Sequence, residues 1–509
     1  MNYFDFAHDD EAADSATVAT PNAAYKRMAR RWALPQILME GTLAMRDAGR
    51  QYLPQYPKES DDRYQTRLAN SVLYDMYRDI VTTYSARPFS APVQLAEDAD
   101  IFFQMLAQNV DLTGRNLTTF AKERLQDLLV YGKTHILVEY PNTTKLQDML
   151  GRELTLADEQ ELQLRPYMVG ISPPSVINWQ GERVGGVEQL TRLQVRHVVD
   201  VPSQTNRWAT RPVHYVVVWM PDMIELWERV SGDEEEEQWE QVAEYPNTLG
   251  KIPLVTVYAN RKGLLECEPP LEGLAHLNAK HWRNQSDQDN IESVARVPML
   301  FFRGFSKEDV ASVEIGPYKV FGNKDPQSDV EVIETDGSAV KVGSDALRQL
   351  EQQMESLALA PVERKSGNPT ATELAIEASR EISDLEAYVM LLEDGLQQAL
   401  ALSAEWAGRA LDAPAVSISE DLGYSAATGR ELEEIREDYK LGVLDRRTYL
   451  AERKRRGLYH EAVNVEEILA GLETENPFMV DGPALVDESS NAEESACTSK
   501  LTSATSANR

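Results

Sequence analysis

The chain has 509 residues, and its 51 Lys and Arg against 83 Asp and Glu give a formal net charge of −32. That charge argues against a protein that grips duplex DNA over a broad cationic surface, because affinity for DNA grows with the number of phosphates neutralised. It argues equally against attachment to an anionic membrane through a polybasic surface. Two cysteines, Cys267 and Cys497, provide no disulfide framework, and no apolar run is long enough for a membrane-spanning helix.

The first part of the chain is predicted to be mainly helical. Residues 1–20 are polar and acidic and indicate a disordered arm. A helix pair is predicted over 98–131 and ends before Gly132, since glycine suits the left-handed position after a helix. A strand follows at 136–140. Before the pair, a single helix is predicted over 62–84, because apolar side chains recur at every fourth residue: Tyr64, Leu68, Val72, Met76, Ile80 and Tyr84.

Residues 165–260 are predicted to form a β-rich region with antiparallel hairpins. The acidic run at 233–237 is interpreted as a solvated hairpin tip, because it lacks the alternating ligands and turn glycine of a calcium loop. Turn residues separate short stretches rich in β-branched and aromatic side chains. The predicted strands are 195–201, 214–219, 224–230, 239–242 and 254–258.

A helix of about 40 Å is predicted over 269–296, at 1.5 Å per residue. Its ends are apolar and its middle is polar. We expect that polar middle to lie outside the core of a single subunit, in solvent or against polar neighbours as in a subunit interface. A β-like insert follows, with a turn at Asp336 and Gly337. Its predicted strands are 299–302, 318–321, 330–333 and 340–342.

Two further helices are predicted after the insert. The first begins at 343–345 and ends before Pro361. The second runs from Ala371 to about Leu411, opened by the capping-box spacing of Thr370 and Glu373. Short helices follow over 428–471, and the polar tail 476–509 indicates disorder. The predicted fold class is therefore α+β, with two helices flanking an inserted β module.

The sequence offers no convincing catalytic, metal or cofactor site, and we expect the chain not to be an enzyme. Residues 131–134 read YGKT, but Asp127 occupies the place of the first glycine of a phosphate-binding loop. His276 and His281 are five residues apart and do not share a helix face as a zinc-binding pair would. The roles of these histidines and of Cys267 stay open.

A basic cluster stands out near the end of this acidic chain. One interpretation is a solvated helix face with i, i+4 pairing such as Glu452–Arg456. The other is contact with DNA. The cluster consists of Arg446, Arg447, Arg453, Lys454, Arg455 and Arg456.

Three stretches together resemble the portal proteins of tailed bacteriophages. The first reads YLPQYPKES at 52–60, with Tyr64, Arg67 and Tyr74 after it. The second reads PTATELA at 369–375 and opens the long helix. The third reads LGVLDRRTY at 441–449. The likeness covers about 50–475, and the order of the three motifs is more specific than any one of them.

This resemblance implies a ring, commonly of twelve subunits, at one vertex of the capsid. Viral double-stranded DNA would be pumped in through the axial channel by the terminase, and it would leave by the same route. Further implied partners are the terminase large subunit, the major capsid and scaffolding proteins and a head-completion adaptor, with no membrane. The protein would assemble in the host cytoplasm and reside in the virion.

The resemblance also divides the chain into the parts of a portal. The wing would be 21–262 together with 370–425, and the crown would be 426–475. The stem would be 263–296 and 343–361, flanking a small α/β clip at 297–342. The implied site residues are Arg364 and Lys365, facing DNA in a channel loop at 362–369, and Lys280, Arg283, Asp287 and Asp289 at the subunit interface of the stem.

Two alternatives belong to other functional classes. One is a non-catalytic nucleic-acid-binding protein that uses the cluster at 446–456, which predicts steeply salt-dependent binding by the isolated chain. The other is a hydrolase with an unrecognised carboxylate site, suggested only by the abundance of acidic residues.

Overall fold

The computed structural model describes most of the chain up to residue 419 and part of 436–455. The contiguous ranges are 16–141, 164–203, 206–231, 238–295, 299–306, 327–333, 338–357 and 371–419. Residues 1–15 of the predicted arm at 1–20 lie outside the described residues. The same holds for the predicted hairpin tip at 233–237, channel loop at 362–369 and tail at 476–509.

The chain alternates helical and β-rich segments, which confirms the α+β expectation. The described helices are α1 (Ala23–Glu40), α2 (Thr42–Ala48), α3 (Asp61–Asn70), α4 (Met76–Ala86), α5 (Ile101–Gln108), α6 (Leu117–Tyr131), α7 (Glu272–Ala295), α8 (Ser338–Leu357), α9 (Ala371–Trp406) and α10 (Arg446–Arg455). The described strands are β1 (Gln94–Leu95), β2 (Lys133–Glu139), β3 (Tyr167–Ile171), β4 (Val176–Val184), β5 (Val187–Pro202), β6 (Thr210–Trp219), β7 (Met223–Ser231), β8 (Gln238–Pro246), β9 (Leu254–Tyr258), β10 (Arg261–Gly263), β11 (Glu266–Cys267), β12 (Met299–Arg303), β13 (Asp329–Ile333) and β14 (Val416–Ser417).

Helix ends in the first part follow local capping chemistry. The Asn22 side chain accepts a hydrogen bond from the backbone N–H of Tyr25 at 2.7 Å and caps α1. Asn116 caps α6 in the same way through Thr119, at 2.8 Å. Gly132 ends α6 in the left-handed conformation, with φ of 79°, so the predicted end of this helix is confirmed.

The single helix predicted over 62–84 is wrong, because the chain breaks between α3 and α4. Residues 71–75 give up helical hydrogen bonds for contacts with distant segments. Two guanidinium nitrogens of Arg46 donate to the carbonyl of Ser71, at 3.0 and 2.8 Å. The Asn278 amide donates to the carbonyl of Tyr74 at 2.8 Å. The spacing of apolar residues along the sequence cannot predict this break, because it contains no information about partners that are distant in sequence.

Two antiparallel sheets follow the helices. Strand β2 is central in a three-stranded sheet of order β3-β2-β9, and β4 to β8 form a five-stranded meander. The predicted β-rich region is thus confirmed. A buried apolar cluster joins the sheets to α1 through Trp32, Trp179, Leu193, Trp219 and Leu137, so the first long helix is fastened to both sheets by hydrophobic burial.

Helix α9 crosses the three-stranded sheet at close range. Its Leu392, Leu396 and Leu400 are fully buried. Gly395 faces β9 so closely that a Cβ atom there would lie 2.3 Å from Cγ2 of Val257. Glycine at this point therefore sets the distance between helix and sheet.

The insert after α7 differs in part from the expectation. Strands β12 and β13 pair antiparallel, with Met299 opposite Ile333, as predicted. The strand predicted at 340–342 is wrong, because α8 already begins at Ser338. The Val340 carbonyl accepts from the hydroxyl of Ser344 one helical turn later, at 3.1 Å. The strand predicted at 318–321 and the turn at 336–337 lie outside the described residues.

The chain divides into two compact units, Met1–Glu420 and Asp421–Arg509. In the second unit, the Asp445 carboxylate accepts from the N–H of Thr448 at 2.9 Å and caps α10. The rings of Tyr439 and Tyr449 stack with centroids 4.3 Å apart. Most of the predicted crown at 426–475 lies outside the described residues.

Candidate functional site

Helix α7 buries polar side chains inside this chain, which contradicts the expectation that its middle lies outside the core of a single subunit. Asn278, His281, Ser286 and Gln288 are all buried. Burial of such groups is tolerated only when they have hydrogen-bond partners. The partners come from the segment before α4 and from α8, which are remote in sequence.

Asn278 supports the break between α3 and α4. Its side-chain oxygen accepts from the backbone N–H of Tyr77 at 2.8 Å, and its amide donates to the carbonyl of Tyr74 at 2.8 Å. One buried side chain thus satisfies two backbone groups that the interrupted helix leaves unpaired.

The motif at 52–60 folds onto α7 through a group that we call the Arg67 cluster, formed by Tyr56, Glu59, Arg67, Ser286 and Asp287. Arg67 donates to both carboxylate oxygens of Glu59 at 2.8 Å. Its guanidinium also lies 4.3 Å from the ring centroid of Tyr56. The Tyr56 hydroxyl donates to Asp287. Burial and this acceptor raise the pKa of Tyr56 to about 12, so the phenol remains a donor.

A polar cleft of about 710 Å³ opens beside the Arg67 cluster, between α3 and the second half of α7. Charges of both signs face it, including Lys58, Asp62, Arg63 and Asp289. No group of three His, Cys, Asp or Glu side chains in the described part of the chain could hold a metal ion. The cleft is therefore suited to polar contact with another chain segment.

Helices α7 and α8 are joined by buried polar contacts. His281 Nε2 lies 3.1 Å from Oε1 of Glu351. The Gln288 amide donates to the carbonyl of Val340 at 2.9 Å and to the hydroxyl of Ser344 at 3.2 Å. A Cβ atom at Gly343 would lie only 1.8 Å from Oε1 of Gln288. The glycine thus makes room for the amide, and these contacts set the register of the two helices.

The helix pair has a large surface that no described residue covers. Helix α8 has twenty residues, and among 340–357 those it buries are Leu347, Leu350 and Met354. Val342, at its other side, is 69% exposed. Such a narrow buried stripe is typical of a helix that packs on one neighbour and offers its remaining surface to another.

The predicted interface residues of α7 separate into two groups. Lys280 and Arg283 lie three residues apart on one exposed helix face. Asp287 instead accepts from Tyr56 within the Arg67 cluster. Asp289 is exposed, and its carboxylate accepts from the Gln285 amide at 2.8 Å. Within the described part of the chain, Lys280 and Arg283 are therefore exposed together on one helix face, whereas Asp287 is engaged within the Arg67 cluster.

The other predicted site residues are only partly described. Arg364 and Lys365 lie outside the described residues, as does Arg456. Arg446 is half-buried and Arg447 exposed on α10, which also contains Lys454 and Arg455. Arg453 donates to the hydroxyl of Tyr449 at 3.2 Å.

The sequence also left Lys133 unexplained, as the lysine of an incomplete phosphate-binding loop. The structure buries it completely. Its ammonium donates to the carbonyl of Leu265 at 2.7 Å and lies 5.2 and 5.1 Å from the rings of Trp32 and Trp179. Desolvation lowers the pKa of Lys133 to about 8. The burial of Lys133 could not be predicted from its neighbours in sequence, because Trp32 and Trp179 are distant from it along the chain.

A family model described as a domain of unknown function, DUF4055, matches residues 270–407, which contain α7, α8 and α9. No curated protein matches the chain. None of the helices in the described ranges is long and apolar enough to cross a membrane.

Three solved structures of gene transfer agent particles are similar to the chain. A chain from the neck of the empty particle, computed with C6 symmetry, is 9% identical with a TM-score of 0.40, over 75% of this chain and 89% of that one. A chain from the neck of the native particle, computed with C12 symmetry, is 10% identical with a TM-score of 0.38 and the same coverage. A chain from the virion of the native particle is 10% identical with a TM-score of 0.37, over 78% and 89%.

Proposed function

We propose that this chain is the subunit of a portal ring at one vertex of a phage-type capsid. The observation that carries the proposal is the one-sided packing of α8, most of which no described residue covers, beside the exposed Lys280 and Arg283 of α7. In a ring, each helix pair would cover the open side of the next. The three motifs that resemble portal proteins support the same assignment.

The internal contacts suit a structural role. The Arg67 cluster fastens the first motif to α7, and the buried amide of Gln288 fastens α7 to α8. The antiparallel strands β12 and β13 lie between the two helices in sequence, so the insert that contains them would protrude from the ring as the part that meets the terminase and later the head-completion adaptor. The proposed protein is a conduit and has no catalytic role.

The acidic balance fits passage of DNA better than tight binding. A wall of carboxylates repels phosphate within a Debye length of about 8–10 Å, so the duplex would slide without being held. Arg364 and Lys365 of the proposed channel loop would supply the few cations that face the duplex. In this proposal the ring resides in the virion after assembly in the host cytoplasm.

The mass of the purified full chain tests the proposal. Light scattering and negative-stain imaging should show a ring with a central hole, with a mass near that of twelve 57.2 kDa subunits. Lys280→Glu with Arg283→Glu should shift the chain toward smaller species. Lys26→Glu with Arg30→Glu is the matched control, because it makes the same charge change on exposed positions of α1. A wild-type chain that stays monomeric, even when produced with its scaffolding protein, contradicts the proposal.

A further inference from the structure

A two-stranded arm projects from the five-stranded sheet, formed by the outer ends of β5 and β6. Pairing of β5 with β4 ends at Val195, and pairing of β6 with β7 ends at Tyr215. Within the described residues, β5 and β6 beyond these points pair only with each other, as far as Pro202 opposite Thr210. Val198 and Val199, which point to opposite faces, are both exposed, whereas Val213, opposite Val199, is buried. The arm is therefore open to solvent at Val198 and Val199 and covered at Val213.

The outer end of the arm presents an exposed tryptophan. Trp208 is 82% exposed, and the guanidinium of Arg207 lies 4.3 Å from its ring centroid. The N–H of Trp208 donates to Asn206 at 3.1 Å, and the N–H of Ser203 donates to the carbonyl of Ala209 at 2.9 Å. Tryptophan and arginine are among the residue types most enriched at binding hot spots.

A surface with the complementary character lies on α5 of the same chain. Ile101 and Met105 are 63% and 50% exposed, and at i and i+4 they share one face of the helix. The acidic side chains Glu97, Asp98 and Asp100 lie at the beginning of α5 and are exposed. One cation, Arg409, lies over the ring of Phe102 at 4.8 Å. The α5 patch is thus apolar with a net acidic border.

We propose that the β5–β6 arm of one subunit docks on the α5 patch of a second copy of this chain. The indole ring of Trp208 would pack on Ile101 and Met105, so that apolar surface is buried on both sides of the contact. Arg207 and Arg211 outweigh Asp200 on the arm, so their charge opposes that of the acidic border. A bare phosphate backbone would satisfy the arginines and leave Trp208 and the valines in water. A protein surface therefore fits the arm better than DNA does.

The geometry of such a contact has a consequence for assembly. The arm and the α5 patch are different surfaces, so the contact is heterologous, and a heterologous contact repeats from copy to copy and forms a ring when the rotation between copies closes. This inference rests on the proposed ring and adds a second contact, separate from the α7–α8 pair. Each contact can therefore be tested while the other is left intact.

Charge reversal on both surfaces tests the contact. Arg207→Glu with Arg211→Glu, and separately Glu97→Lys with Asp98→Lys, should each raise the concentration needed for assembly by about tenfold or more, the loss expected at a hot spot. The chain that carries all four substitutions should assemble again. A photo-crosslinking amino acid at position 208 of the full chain should attach to residues 97–105 of a neighbouring copy, read by mass spectrometry.

Three results would overturn the inference. The first is normal assembly of both charge-reversed chains while Lys280→Glu with Arg283→Glu disrupts the ring, which removes the arm contact and keeps the proposed function. The second is a wild-type chain that forms no ring, in which case the proposed function fails as well. The third is loss of DNA binding in Trp208→Ala with assembly unchanged, which would make DNA the partner of the arm.

Discussion

The carboxylate of Glu59 and the guanidinium of Arg67 form a bidentate ion pair with both side chains only 8% exposed. Arg67 further donates to the carbonyl of Pro54 at 2.8 Å. The pair closes the loop of the first motif against α3. Because a buried charge without its partner is costly, this contact is where we expect single substitutions to have large effects.

Glu59→Ala is expected to lower the free energy of unfolding by about 3 kcal/mol, since it leaves Arg67 buried without its carboxylate. Urea unfolding at neutral pH, followed by tryptophan fluorescence, measures the change. Asp61→Ala is the control, because Asp61 pairs with Arg50 at the surface and such pairs contribute less than about 1 kcal/mol. Equal losses in the two variants would contradict the expectation.

The Glu59–Arg67 pair also predicts a dependence on pH. Hydrogen bonding from Arg67 holds the pKa of Glu59 below its ordinary value. A carboxylate with a depressed folded pKa stabilises the fold above its unfolded pKa, and that contribution is lost as the pH falls through the folded value. The Glu59→Gln variant should therefore lose less stability than the wild type between pH 5 and about 3. An equal loss of unfolding free energy in the wild type and in Glu59→Gln across this window would contradict the prediction.

Lys133 is expected to couple stability to alkaline pH. Burial lowers its pKa to about 8 in the folded chain, whereas an unfolded lysine titrates near 10.4. Between these two pKa values the unfolded state therefore binds more protons than the folded state. The contribution of Lys133 to stability consequently rises as the pH rises through this window. Lys133→Met should remove that rise. The unfolding free energy of the wild type minus that of the variant should increase from pH 7 to 9.5; a constant or decreasing difference would contradict the assignment.

Gly395→Ala is expected to destabilise the chain by about 1–3 kcal/mol, because the new methyl group would overlap Val257 and force α9 from the sheet. Gly273→Ala is the matched control on α7, where a Cβ atom would meet no neighbour within 4 Å. There, the gain in helix propensity should raise stability by up to about 1 kcal/mol. Thermal unfolding of both variants gives the comparison, and stabilisation by both would show that α9 does not pack at this distance.

Cys267 is expected to resist thiol reagents in the folded chain. It is buried, and desolvation raises the pKa of its thiol to about 11, whereas the thiolate is the reactive form. Alkylation at pH 8, read by peptide mass spectrometry, should modify Cys267 only after addition of urea. Modification at the same rate with and without urea would show that this core opens readily.

Local chemistry predicted the parts of the fold that depend on neighbours in sequence. The end of α6 at Gly132 and the strands of the β-rich region follow from turn residues and alternation, which act within a few residues. The break between α3 and α4 does not, because Arg46 and Asn278 stabilise it from remote positions. The start of α8 was misplaced for a related reason, since Val340 contacts Gln288 fifty-two residues earlier in the chain.

The candidate interface was predictable only in part. Lys280 and Arg283, two of the predicted interface residues, are exposed on α7, and their contact with another subunit stays a prediction. Periodicity could not show that Asn278, His281 and Gln288 find partners within the same chain, because the pattern of a buried polar face equals that of an exposed one. The arm at Trp208 could not be predicted, because the exposure of the outer ends of β5 and β6 depends on where the neighbouring strands β4 and β7 end.

The fit of Gln288 against Gly343 has a mechanical meaning. Sliding α8 along α7 by one turn would leave the amide without acceptors and press it against a bulkier neighbour, so the two helices resist relative translation. The same helix α7 contacts the Arg67 cluster through Ser286 and Asp287. The position of α8 is thereby tied, through α7, to the loop that the Glu59–Arg67 pair closes.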